Sequence, residues 1–238
     1  VGYNALAANS EGDVNTAVGS HAGDAITTGV ANTALGKGAL STVTTVNNNT
    51  AVGHNAMELA TGADITAVGS HALRDCTVSN GTAVGYYALS ENTSGSANTA
   101  VGNVALKLNV DGANNTAVGF ASLDANTDAD NNTGVGYLAL SANTTGAENT
   151  AVGSEAGDAI TTGAGNVGIG QGALSTIQAV DSNTAVGHNT MELATGAGCV
   201  AVGTHALRNC TASNATAIGN VALVNNTSGD ANVAVGHQ

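Results

Sequence analysis

Six histidines, three cysteines and seventeen acidic residues are the side chains in this 238-residue sequence that could bind a metal or move a proton. Their spacing argues against either. His54 and His71 follow successive glycines of one motif and return 134 residues later as His188 and His205. Duplicated histidines behave as repeated surface, whereas a catalytic base is placed once among orienting partners. Two neutral imidazoles without a carboxylate or thiolate make a poor transition-metal site. Asp128-Ala129-Asp130-Asn131 is similar to an oxygen-rich calcium loop but lacks its glycine and its closing glutamate. No Gly-rich segment opens a helix, so no phosphate cradle is expected. The expectation is no enzyme, no cofactor and no metal.

Two groups of residues are candidates for other chemistry. Tyr3, Tyr86, Phe120 and Tyr137 each follow a motif glycine, with Tyr87 adjacent. Exposed aromatics at one repeat position form a candidate binding row for sugar rings or a host receptor. The alternative is scattered surface residues. Cys199 and Cys210 occupy the places held in the earlier block by Ile65 and Cys76. If those slots touch, a disulfide fits there and suits an extracellular setting. The alternative is a pair of free thiols packed as small hydrophobes; Cys76 has no partner in its own block.

The elements that position these residues are written by the repeat. A version of Asn-Thr-Ala-Val-Gly recurs every sixteen or seventeen residues, with landmark glycines from Gly2, Gly19, Gly36 and Gly53 to Gly219 and Gly236. So short a period holds one turn of a β-solenoid and has no room for a helix pair. The fold class expected is all-β, a parallel β-solenoid built as one array over residues 1–238. A 134-residue super-repeat overlays it, as 1–134 and an incomplete 135–238. The chain opens and closes within the motif, which reads as a segment of a longer protein.

Before each landmark glycine stand an Ala or Gly and then a Val, Ile or Leu, as in Ala17-Val18 and Gly168-Ile169. Neighbours on a strand face opposite ways. A methyl-sized limit on one side and a branched aliphatic on the other imply that both sides are crowded, more than one solenoid can arrange. Three and four residues after the glycine come Ala and Leu, as in Ala39-Leu40 and Ala72-Leu73, read as the inward corner; Gly23 and Gly157 leave that slot empty. Asn92-Thr93, Asn126-Thr127 and Asn143-Thr144 fall at a later position that elsewhere holds Ile26 or Cys76, which suits stacked, half-buried ladders.

With 42% hydrophobic and 9% charged residues the chain is expected to fold. Four basic against seventeen acidic residues give a net charge of −13, which disfavours nucleic acid and anionic membrane. No apolar run is long enough to insert into a membrane.

The Asn-Thr-Ala-Val-Gly core resembles the head repeat of YadA-like trimeric autotransporter adhesins. Its longer form, running through Ala-Leu to Asn-Thr, resembles arrays in phage-type tail-fibre shafts. The resemblance covers the whole chain. It implies a left-handed β-roll packed as a homotrimer, with one strand face lining the roll and the other meeting sister chains. It also implies an extracellular place, on a cell surface or virion, in a structural or adhesive fibre that attaches to a host glycan or protein receptor. Two other readings accompany it: an ice-binding solenoid using the row Thr16, Thr33, Thr50, Thr66 and Thr82, and a self-assembling extracellular filament.

Overall fold

The computed structural model describes residues 1–237, which hold fourteen strands of three residues each and, among those residues, no helix. Contacts group the chain into two units, Val1–Asn115 and Thr116–Gln238. The first contains β1 (Thr16–Val18), β2 (Thr33–Leu35), β3 (Thr50–Val52), β4 (Thr66–Val68), β5 (Thr82–Val84) and β6 (Thr99–Val101). The second runs from β7 (Thr116–Val118) to β14 (Val233–Val235). Within each unit the strands pair in sequence order, all parallel, and like sits on like. Thr16 faces Thr33, Ala17 faces Ala34 and Val18 faces Leu35; in the second unit Val167 faces Thr184 and Ile169 faces Val186. Each unit is therefore a parallel β-solenoid, one motif per coil.

The strand itself settles which neighbour faces in. Its middle residue is buried and both flanks are open, as in β1 and β12 (Val200–Val202). The alanine row points into the coil; the threonine and valine rows share the outer face, as residues two apart on a strand must. Crowding is thus one-sided in the single chain: Ala51 is fully buried, while Val18 is 40% exposed. The interior also holds Leu40, Leu73, Leu89, Leu123 and Leu140, none of which reaches solvent.

Two constraints impose the landmark glycine. Gly53 has φ +141°, and a Cβ there would lie 2.4 Å from the carbonyl oxygen of Gly69 in the next coil. Gly136 repeats this in the second unit, 2.3 Å from the oxygen of Gly153. Only glycine tolerates both the conformation and so close a backbone. The other corners use side-chain-bearing residues in left-handed geometry, for example Asn55 (φ 52°), Met57 (φ 54°) and Asp64 (φ 59°) within one coil. Left-handed geometry costs an L-residue roughly 1–2 kcal/mol. Full burial of a Leu or Met side chain returns about 1.5–3 kcal/mol, so at the Leu73 and Met57 corners the core wins.

Buried asparagines link coil to coil. The side-chain oxygens of Asn15, Asn32 and Asn49 accept from the backbone N–H of Asn32, Asn49 and Ile65 at 2.9–3.1 Å. Their amides donate to the carbonyls of Gly29, Val46 and Gly62. The second unit continues the pattern through Asn149, Asn166 and Asn183. The later Asn-Thr position forms ladders as well: Asn109 donates to Asn92 at 2.7 Å, and the hydroxyls of Thr27, Thr144 and Thr161 reach the carbonyl one coil on.

Local departures from the motif are compensated. The slots at Gly23 and Gly157, expected to be empty, are filled by an isoleucine of the same coil together with Leu6 or Leu140 of the preceding one. Ile26 Cδ1 and Ile160 Cδ1 each lie 3.0 Å from where the missing Cβ would stand. Other compensations act between coils. Asn55 lays its side-chain oxygen over Gly38, 2.4 Å from a Cβ placed there, and Ser122 Oγ lies 2.5 Å from one on Gly134. No helix among the described residues is long and apolar enough to cross a membrane.

Candidate functional site

The outer strand face is the most extensive feature that a partner could meet. In the first unit Leu35, Val84 and Val101 join Val18 as exposed apolar residues; in the second, Val152, Ile169, Val202 and Ile218 do so. Parallel pairing stacks them in columns, with the threonine row two residues away along each strand. The sheet register fixes their spacing within each unit.

Each of the five candidate aromatics makes a ring contact with a near neighbour in its own unit. Tyr3 is 72% exposed and meets the edge of His21 at 5.4 Å. Tyr86 contacts Tyr87 edge-on at 4.5 Å, and Tyr87 stacks on His71 at 4.6 Å with the Lys107 ammonium 5.9 Å from its ring. In the second unit Phe120 and Tyr137 stack at 5.6 Å, each about half exposed. The landmark position alone could not reveal that histidines at the following position share these clusters. His54 extends the first group, meeting His71 at 5.2 Å; its duplicate, His188 with His205, lies at 5.6 Å. Burial first, then the neighbouring His54 and Arg74, hold the His71 imidazole below the usual histidine range. That favours the neutral ring, which stacks well on tyrosine.

Among the described residues no group of three or more His, Cys, Asp or Glu side chains is placed to hold a metal, around Asp128 or elsewhere. A polar notch lies beside Gly38, lined also by Lys37, Ser41 and Thr42. It is flanked by the His21–Asp24 pair at 2.8 Å and the Asn55–Glu58 hydrogen bond at 3.0 Å. All three cysteines are buried free thiols, and Cys199 and Cys210 converge on one carbonyl, that of Ala212. Compared with protein-family models, with curated proteins and with solved structures, the chain matches none.

Proposed function

We propose that the chain is a segment of a rigid, non-catalytic attachment fibre, a left-handed β-roll whose outer strand face packs against two further copies about a threefold axis. The observation that carries this reading is the stacked Val, Leu and Ile column on that face. Contiguous apolar rows on a water-facing sheet mark interaction surfaces. Covering them gains about 25 cal/mol per Å² of apolar area. A second copy of the same chain offers the matching spacing, because every coil repeats the same step. The aromatic clusters around Tyr3, Tyr86 and Tyr87, and Phe120 and Tyr137, are the proposed contacts with a host-surface glycan or protein receptor outside the cell. Nucleic acid binding and membrane insertion are not part of this function.

Sedimentation equilibrium tests the assembly. The expected result is a discrete particle of three chain masses that Val84→Asp with Val101→Asp dissociates, both residues lying on the outer face. A stable monomer would overturn the reading, and a polymer growing with concentration would replace the fibre segment with an open filament. One observation favours a second function: the threonine row also points outward, which suits an ice- or crystal-binding plane. Thermal hysteresis at micromolar protein, abolished by Thr50→Asp, would establish it in place of the fibre.

A further inference from the structure

We propose that Cys199 and Cys210 are an oxidation site, joined by an intracoil disulfide that pins the entry of one strand to the corner of the same coil. Cys199 directly precedes the strand Val200–Val202, and Cys210 lies past the turn that follows it. Both side chains are fully buried. Cys199 Sγ and Cys210 Sγ each donate to the carbonyl oxygen of Ala212 from 3.3 Å, so the sulfurs lie no farther apart than twice that distance. The solenoid builds this convergence. At the equivalent positions of a coil in the first unit, Asn98 and Asn109 send their amides to a single carbonyl, that of Gly112, at 2.7 and 2.8 Å. Donor side chains in these two slots share one acceptor in both coils, and only the coil of Cys199 fills both with thiols.

The duplication supplies an internal control. Cys76 has the setting of Cys210: its thiol donates to Val78 O at 3.2 Å and receives Asn92 Nδ2 at 3.9 Å, as Cys210 donates to Ala212 O and receives Asn226 Nδ2 at 3.8 Å. The facing slot, however, is Ile65, itself buried. Cys76 is a thiol in the same kind of pocket with no second sulfur opposite.

The oxidant is a small-molecule disulfide. One thiolate attacks it, forms a mixed disulfide and releases one small thiolate; the second protein thiolate attacks the mixed disulfide and releases the other. Two protein thiols lose two electrons and two protons, and one small disulfide becomes two thiols. Burial, with the Cys199 sulfur adding to it, pushes the Cys210 thiol up, so exchange in the folded chain is slow and faster during refolding.

The test incubates the folded chain with oxidised glutathione at pH 8.5 and, in parallel, refolds it in a glutathione redox buffer. Each sample is quenched in acid, alkylated in denaturant and read by mass spectrometry. The expected product carries one alkyl group, on Cys76, and a peptide cross-link between Cys199 and Cys210. Cys210→Ser is expected to lose the cross-link, and Ile65→Cys to create a second one with Cys76. The proposal is overturned if the wild-type chain is alkylated at all three cysteines in both arms. Consumption of Cys76 as fully as Cys199 and Cys210 would overturn it equally, because oxidation would then ignore the paired slots.

Discussion

Asp158 shows how a single residue carries a cost that the repeat tolerates. Burial first, then the adjacent Glu155 carboxylate, raises its pKa above the ordinary carboxylate value, and Oδ1 is buried without a hydrogen-bond partner. A raised folded-state pKa means that the folded chain holds this proton more tightly than the unfolded chain. The stability so gained is complete below the unfolded value of about 4 and is lost as pH rises through the folded value. At neutral pH the charged group is a liability. Asp158→Asn should therefore raise the thermal midpoint by about 1–3 °C at pH 7 and by nothing at pH 3, measured by circular dichroism. Asp24→Asn is the matched control: its carboxylate pairs with His21 at 2.8 Å, so that substitution should bring no gain. Much at this scale was hidden from sequence reading. Left-handed corners announce themselves as Gly or Asn, but here Leu73 and His71 hold them, because burial and stacking outweigh the backbone cost.

At the scale of the strand and its turns, the asparagine column does most to hold coil to coil. Asn149 Oδ1 accepts from both the backbone N–H and the side-chain amide of Asn166 at 3.0 Å, and its own amide donates to Gly163 O at 2.7 Å. Asn149→Ala removes three bonds and strands the buried partners, each costing about 1–3 kcal/mol when left unmade. The expected loss is about 3 kcal/mol in urea unfolding, with an unchanged slope. A loss below about 1 kcal/mol would mean that water replaces the amide. This column was readable only in part. The Asn-Thr pairs such as Asn92-Thr93 stood out as ladders because their slot alternates with aliphatics. The asparagine that opens each motif carries no such signal, since nothing in its neighbours marks it as buried. The side facing inward was equally undetermined, because alanine and valine are both apolar. The methyl-sized limit at Ala17 and Ala51 turned out to be the interior, shared with leucine, and the branched row turned out to be the open one.

For the whole molecule, charge opposes the assembly proposed above. The chain carries −13, and its ion pairs include His21–Asp24, Arg74–Asp75 and Arg208–Glu192. Copies brought side by side repel one another, and the repulsion is screened over about 10 Å at 0.1 M salt. Raising sodium chloride from ~20 to ~300 mM, a range over which the screening length shrinks severalfold, should tighten association about tenfold or more in sedimentation. Salt-independent association would place the acidic residues away from the contact. The solenoid and its register were legible from the glycines, since a strict period has few structural solutions. That uniformity carries a hazard: when every rung resembles the next, a coil that settles one place out of step during folding satisfies nearly the same bonds. Ser122 over Gly134 and Asn55 over Gly38 oppose this, since a neighbouring coil offers a methyl or more where each needs bare backbone. Such small misfits work as index marks, giving an otherwise monotonous polymer a way to count.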